Sequence, residues 1–224
     1  MAVLAVVCLI GFVAFKYISI ESALKYDDGV GGYTVTTGKF FKEGSVIIPE
    51  IYDGKPVTKI ADGAFEGNTY LTSVTIPSTV TEIGENAFKG CTNLREIAFA
   101  NVKPNASLQA NARFAYAGTY TLSVGTPTYT LTNASNQKIT TVQSGVKKIG
   151  AKAFYGCTNL ASIDASRAAE IGEEAFAGCS SLHSIVFGNH LLSLSNGTFS
   201  GCSSLKLVDL PSSLTTIGDR CFEN

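Results

Sequence analysis

The amino-acid sequence predicts a β-rich solenoid built from coils of 22–23 residues, with short parallel strands and one short helical turn in each coil. The first observation is a repeated string, because residues 83–97 (IGENAFKGCTNLREI) return almost unchanged at 149–163 (IGAKAFYGCTNLASI). The second is a fixed period, since the in-phase residues Phe154, Phe176 and Phe199 follow one another at intervals of 22 and 23. Such periods are typical of stacked repeats that bury their apolar faces against one another.

Length and charge already narrow the classes of partner. The chain has 224 residues, 45% of them hydrophobic, and a formal net charge of -1. This length is enough for a substantial core. Because the net charge is close to zero, nothing favours a nucleic-acid partner or an anionic membrane surface.

The first segment, residues 1–24, is predicted to be an apolar signal or membrane-anchor segment. Residues 2–20 contain Lys16 as their only charge, and a helix of this length would measure ~28 Å, which nearly spans a bilayer core. No basic segment precedes this run and no small-residue cleavage site follows it, which favours an uncleaved anchor over a secretory signal. Lys16 and Lys25 alone would place the repeats on the cytoplasmic side.

Residues 25–56 are predicted to form N-terminal capping strands. The alternating run Tyr33–Thr36 and the apolar run Val46–Pro49 are separated by glycines, and Asp53–Gly54 follows them as a turn signal. A solenoid needs a terminal unit that covers its otherwise open apolar end.

Residues 57–100 and 146–224 are predicted to hold the regular repeats, of which the last is truncated. In the first repeat, Val57–Ile60 forms a short strand and the apolar positions of Leu71–Ile76 alternate as in a strand with one buried face. Ala64–Phe65, between an acidic residue and a glycine, is interpreted as a helical turn that points the ring inward. Stacking the coils ~4.8 Å apart would pair equivalent strands in parallel ladders.

The segment 101–145 breaks the rhythm and is predicted to be a degenerate repeat with insertions. Residues 115–122 (AYAGTYTL) retain the repeat pattern with Tyr in place of Phe and Thr in place of Cys. A second interpretation is a protruding hairpin that joins the near-duplicates 119–124 and 128–133 across a Gly-Thr-Pro turn. The sequence leaves both interpretations open.

Two residue types recur in phase. Glycine follows the short strand at Gly84, Gly150, Gly172 and Gly218, and is interpreted as a turn residue. Cysteine recurs at Cys91, Cys157, Cys179 and Cys202. Since side chains in phase point the same way, whereas a disulfide needs converging Cβ vectors, free buried thiols are expected. No CxxC or HxxxH spacing occurs, so no metal site is predicted.

These residues resemble the BspA-like class of leucine-rich repeats, whose unit runs Ile-Gly-x-x-Ala-Phe-x-Gly-Cys-x-x-Leu-x-x-Ile-x-Ile-Pro. The match is close over 57–99 and 146–224, Asp53–Thr58 is similar to the segment that often precedes the first repeat, and 101–145 departs from the pattern. The resemblance implies surface-exposed or secreted proteins of bacteria and protists that bind host, matrix or neighbouring-cell proteins. A family defined by repeats transfers no catalytic residues.

The sequence also offers no catalytic constellation. An enzyme needs a nucleophile with a base, a pair of acids or a set of metal ligands. The only histidines, His183 and His190, follow a repeat leucine and a strand, and are interpreted as surface residues. No catalytic residue, metal or cofactor is therefore predicted.

The remaining class of function is recognition of a partner molecule. Solenoids usually bind partners through the outward side chains of a strand ladder. The predicted binding residues are the outward positions of successive coils: Ser73, Thr75, Glu96, Ala98, Ser162, Asp164, Ser184, Val186, Leu207 and Asp209. The leading hypothesis is a non-catalytic adhesion or recognition module at the cell surface, anchored by its N-terminal segment. The alternative is a structural spacer within a longer surface protein.

Overall fold

The computed structural model describes residues 24–37, 42, 44–99, 130–132, 138–140 and 144–224. Every regular element in these ranges is a β-strand. In chain order they are β1 (Leu24–Gly29), β2 (Gly32–Thr37), β3 (Ser45–Ile47), β4 (Ile51–Tyr52), β5 (Lys55–Ile60), β6 (Ser73–Ile76), β7 (Glu82–Ile83), β8 (Glu96–Phe99), β9 (Thr130–Thr132), β10 (Lys138–Thr140), β11 (Lys148–Ile149), β12 (Ser162–Ala165), β13 (Glu170–Ile171), β14 (Ser184–Phe187), β15 (Ser193–Leu194) and β16 (Thr216–Ile217).

One ladder of short strands runs along the solenoid. Its order is β1-β2-β5-β7-β11-β13, with β4 antiparallel beside β5, and β15 pairs with β16 further along the chain. From β5 onward the strands are parallel and in register, so that Ile60 lies opposite Ile83 and Ile83 opposite Ile149. Each of these isoleucines is buried. The repeated Val-x-x-Ile pattern therefore forms the predicted parallel ladder.

The second ladder contains the longer strands. β3, β6 and β8 form one parallel sheet, and β12 and β14 form another. Val74 and Ile76 of β6 are buried, whereas Ser73 and Thr75 are half-buried. The period of two predicted from the sequence thus gives each strand one face in the core.

The described coils contain no helix, so the predicted helical turn at each Ala-Phe is not confirmed. The segment forms consecutive turns instead; in one coil the amide of Lys89 donates to the carbonyl of Asn86 (3.0 Å) and that of Cys91 to Phe88 (3.0 Å). Two residues per coil interrupt a helix, because Asn86 has φ 53° and Gly90 has φ 71°, in the left-handed region.

Neighbouring coils explain why this segment cannot be helical. Its alternate amides donate to carbonyls of the next coil and are thereby withheld from bonds within their own coil: Asn86 to Ala151 (3.0 Å), Phe88 to Ala153 (2.7 Å) and Gly90 to Tyr155 (2.8 Å). An α-helix would need the same amides for its own carbonyls. The turns therefore add a third line of bonds between coils.

A column of phenylalanine rings fills the core. The rings lie 5.0 to 5.4 Å apart between centroids and are nearly parallel, with interplanar angles of 2 to 14°, in the order Phe65, Phe88, Phe154, Phe176, Phe199 and Phe222. The first five are almost fully buried, and Phe222 is 38% exposed. The 22–23-residue period is therefore the period at which one ring stacks on the next.

The recurring glycine after the short strand has a different role from the turn role expected. Gly84, Gly150, Gly172 and Gly218 are absent from the residues with positive φ. A Cβ on Gly150 would lie 2.6 Å from the amide nitrogen of Glu85, and one on Gly218 would lie 2.6 Å from that of Asn196. Glycine is needed here because two backbones approach closely, not because the chain turns.

The stack is continuous across the irregular segment 101–145. β7 pairs directly with β11, and the Phe88 and Phe154 rings are 5.2 Å apart, so the coils on either side are immediate neighbours. Thr130–Thr132, within the second strand of the alternative hairpin, pairs antiparallel with Lys138–Thr140, a pairing that was not predicted. The first strand of that hairpin, 119–124, lies outside the described residues. The predicted degenerate repeat lies largely outside them as well.

Within the described ranges, no helix is long and apolar enough to cross a membrane. The predicted anchor, residues 2–20, lies outside those ranges.

Candidate protein-binding face

The structure brings eight of the ten predicted binding residues onto two strand pairs. In β6 and β8, Ser73 lies opposite Glu96 and Thr75 opposite Ala98. In β12 and β14, Ser162 lies opposite Ser184 and Asp164 opposite Val186. The amide of Ala161 donates to the carbonyl of Arg95 (3.3 Å), which places β12 beside β8. We call the outward side chains of β6, β8, β12 and β14 the strand face.

Leu207 and Asp209 do not belong to a strand of the described structure. Their segment carries the strand pattern, but Leu207 is 80% exposed and Leu210, which should point inward, is 43% exposed. Leu205 and Val208 of the same segment pack against the core but are only partly buried, so the segment is less tightly packed than the other strands. The alternation of apolar and polar residues in the sequence places Leu207 and Asp209 on the outside. It does not by itself ensure that the apolar residues of the segment pack tightly.

Several outward side chains of β12 and β14 are more exposed to solvent than those of β6 and β8. Ser73, Thr75, Glu96 and Ala98 are half-buried, whereas Ser162 and Ser184 are exposed. Val186 is 52% exposed and is the one large apolar side chain on the strand face as described. Apolar area beside small polar side chains is a composition that protein contacts use.

Two residues of the strand face make bonds within the protein. The hydroxyls of Ser73 and Ser45 are 2.8 Å apart, so the face continues onto β3. The Asp164 carboxylate accepts hydrogen bonds from the amides of Ser166 (2.9 Å) and Ser144 (3.4 Å), which holds the turn after β12 beside the returning chain. Asp164 therefore has a structural role besides any role in binding.

The contribution of Ser45 was not predicted, although the sequence contains a signal for it. Ser45–Pro49 (SVIIP) differs from Ser73–Pro77 (SVTIP) at one position, and both segments form parallel strands in the same ladder. From the sequence alone this run is assigned to the cap, because a terminal unit must cover the open apolar end of a solenoid.

Glu96 is the half-buried acidic residue near the middle of the strand face. Burial raises its pKa above the ordinary carboxyl value. Among the described residues, no cation lies within ion-pair distance of its carboxylate. The neighbouring outward positions on β6 and β12 are the small residues Ser73 and Ser162.

Acidic residues on the short-strand ladder have a different environment. There the in-register positions read Lys59, Glu82, Lys148 and Glu170, so opposite charges alternate from coil to coil. Ion pairs join Lys59 to Glu82 (3.0 Å) and Lys148 to Glu170 (3.4 Å). These partly exposed pairs contribute little to stability but favour the observed register.

The in-phase cysteines are free and buried, and each donates a hydrogen bond between coils. Their thiols bond the carbonyl of the phenylalanine one coil earlier: Cys91 to Phe65 (3.0 Å), Cys157 to Phe88 (3.1 Å), Cys179 to Phe154 (3.1 Å) and Cys202 to Phe176 (3.1 Å). The sequence indicated their burial but not this bond.

Burial also controls the chemistry of these thiols. It raises the pKa of Cys91 to about 12 and that of Cys202 to about 11, and raises those of Cys157 and Cys179 further. The nucleophile of cysteine chemistry is the thiolate, which is scarce at neutral pH when the pKa is this high. The four thiols are therefore suited to packing, not to catalysis.

The remaining candidate site residues are the histidines and the acidic side chains. His183 and His190 are both exposed. In the part of the chain that the structure describes, no three side chains of His, Cys, Asp or Glu come close enough to hold a metal ion.

Two parallel strand ladders and a phenylalanine column, repeated at 22–23 residues, define a leucine-rich repeat solenoid. A family model described as "BspA type Leucine rich repeat region" matches residues 38–122 and 125–224 in six copies. The chain belongs to this family, as the resemblance of the repeat unit implied. No curated protein matches the sequence.

Solved structures agree with this assignment. A leucine-rich cell surface protein from Faecalibacterium prausnitzii is 25% identical with a TM-score of 0.54, over 90% of this chain and 50% of that one. A leucine-rich repeat protein from Bacteroides ovatus is 30% identical with a TM-score of 0.50, over 93% and 51%. The T. pallidum leucine-rich repeat protein is 26% identical with a TM-score of 0.54, over 88% and 84%. The chain thus spans about half the length of the first two proteins.

Proposed function

We propose that the chain is a non-catalytic protein-binding module of a surface-exposed protein, and that the strand face is its contact surface. The observation that carries the proposal is the strand face itself, on which parallel strands present an ordered array of small polar side chains beside the exposed Val186. Solenoids commonly use such an extended surface to bind other proteins.

The chemistry of the side chains supports a non-catalytic role. Leucine-rich repeat solenoids are typically scaffolds, and the buried cysteines of this one are held in the protonated, unreactive form. The polar groups of the strand face are serine and threonine hydroxyls and two carboxylates, and none of its eight residues is the histidine, lysine or cysteine of a nucleophile-and-base pair. Binding requires none of these catalytic arrangements, only a surface that a partner can reach.

The proposed location is the cell surface. The Faecalibacterium relative is described as a cell surface protein, and residues 2–20 have the length and apolar composition of an anchor. The partner is proposed to be a protein of a host, an extracellular matrix or a neighbouring cell.

A pair of matched double variants tests the function on an array of immobilised matrix and cell-surface proteins. Ser162→Arg with Ser184→Arg places two bulky charges on neighbouring strands of the strand face. The control, Ser193→Arg with Thr216→Arg, makes the same change at exposed, paired positions of β15 and β16. We expect the first variant to lose binding by about tenfold or more, as central interface changes commonly do, and the control to keep it.

The spacer alternative gives a different result. A spacer would tolerate both double variants, because only its length and folding would matter. Equal binding by the two variants would therefore refute the proposed contact surface. A folded wild-type module that captures no protein on the array would contradict the binding function as a whole.

A further inference from the structure

Glu96 occupies an unusual place on the strand face. In β8 it lies directly opposite Ser73 of β6, and β12 on the other side presents Ser162. Along its own strand the next outward residue is Ala98. Neighbouring strands are about 4.8 Å apart, so the side chains nearest to Glu96 on the strand face are all shorter than its own.

The carboxylate of Glu96 also lacks the compensation that three other half-buried acidic residues, Glu82, Glu174 and Asp164, receive. Glu82 pairs with Lys59 and Glu174 with Lys152, while Asp164 accepts two backbone amides. Within the described residues Glu96 has no such partner, and its raised pKa reports the loss of water without replacement. A partly desolvated charge of this kind gains from a cation that arrives with a ligand.

The charge of the whole strand face also favours a cationic ligand. Its eight outward positions include two acidic residues, Glu96 and Asp164, and no basic residue. Since the Asp164 carboxylate is already occupied by the amides of Ser144 and Ser166, Glu96 is the acidic group left for a partner.

We propose that Glu96 is the anchor of the contact surface and receives a lysine or arginine side chain of the protein partner. This inference rests on the proposed function and adds the chemistry of the partner. Arginine suits the position best, because its planar guanidinium can donate two hydrogen bonds to one carboxylate. Its neighbours Ser73, Ala98 and Ser162 carry no charge that would compete for the carboxylate or repel the guanidinium.

The first test uses a defined probe. A short peptide, Gly-Ser-Arg-Ser-Gly, is titrated into the labelled protein and followed by NMR, with a matched peptide in which uncharged citrulline replaces arginine. We expect saturable shifts of the amides of Ser73, Glu96, Ala98 and Ser162 with the arginine peptide and none with the citrulline peptide. Glu96→Gln should abolish the shifts, whereas Glu85→Gln, at an exposed carboxylate on the turn, should leave them unchanged.

The second test uses any protein captured on the array described above. Glu96→Gln should weaken its binding by about tenfold or more, because a charge-assisted hydrogen bond is lost. Arginine-peptide shifts that are absent, or that persist in Glu96→Gln, would overturn the inference. If a partner binds Glu96→Gln as well as wild type but does not bind the Ser162 and Ser184 double variant, the inference fails and the proposed function stands.

Discussion

Replacing Phe154 by alanine removes a ring from the middle of the phenylalanine column. The ring is fully buried and stacks on Phe88 and Phe176, each 5.2 Å away between centroids. Losing a buried aromatic side chain costs about 1.5 to 3 kcal/mol in transfer free energy, and each lost ring contact adds about 0.5 to 1.5 kcal/mol. With two ring contacts these contributions add up to about 2.5 to 6 kcal/mol. This range includes the usual cost of Phe→Ala in cores, so the expected decrease in the free energy of unfolding is about 3 to 5 kcal/mol.

Urea unfolding followed by circular dichroism measures this decrease, and Phe222→Ala is the matched control. Phe222 is 38% exposed and stacks on Phe199 alone among the described rings, so its replacement should cost only about 1 to 2 kcal/mol. A midpoint that hardly moves for Phe154→Ala would show that the column does not hold the coils together. Equal costs at the two positions would refute the argument from burial and from the number of stacked neighbours.

Three further predictions concern thiols, charge and backbone contact. Alkylation under non-reducing conditions should leave Cys157, Cys179 and Cys202 unmodified in the folded protein and modify all three after denaturation; mass spectrometry that finds a disulfide among them would contradict the ladder. Folding raises the pKa of Glu96, so the folded protein loses stability as the pH rises from the pKa of the unfolded state to that of the folded state. Glu96→Gln removes this loss. It should therefore be more stable than wild type at neutral pH and equal to it in acid. Calorimetry that shows no gain at neutral pH would refute this. Gly172→Ala should cost about 1 to 3 kcal/mol, since the new Cβ would meet the backbone of Ala151; an unchanged melting temperature would mean that the coils can separate without cost.

The sequence predicts the features of the fold that every coil must repeat. Apolar positions such as Val74 and Ile76 keep their phase because each one must reach the shared core. The same alternation places Ser73 and Thr75 outward, so most of the candidate site follows from the pattern alone. Leu207 shows the limit, because its segment has the intact pattern and Val208 packs against the core, yet no strand forms there.

Features that depend on the neighbouring coil could not be predicted from one repeat. Asn86, Lys152 and Glu174 all have positive φ, although nothing in Lys or Glu favours that conformation. They adopt it because the adjacent coil supplies carbonyls to the amides of the turn. The hydrogen bond from the Ser144 amide to the Asp164 carboxylate could not be predicted either, because it joins residues that are 20 positions apart in the sequence.

Direct stacking of the coils that flank residues 101–145 affects how the protein folds. At this interface the hydrogen bond from Thr158 to Thr92 joins residues 66 apart in sequence, whereas the equivalent bond from Ser180 to Thr158 joins residues 22 apart. Closing the longer loop costs about 1 kcal/mol more in chain entropy. Because repeats fold by nearest-neighbour contacts, the two blocks should each form first and join afterwards, which makes this interface the slowest to assemble and the first to separate under force.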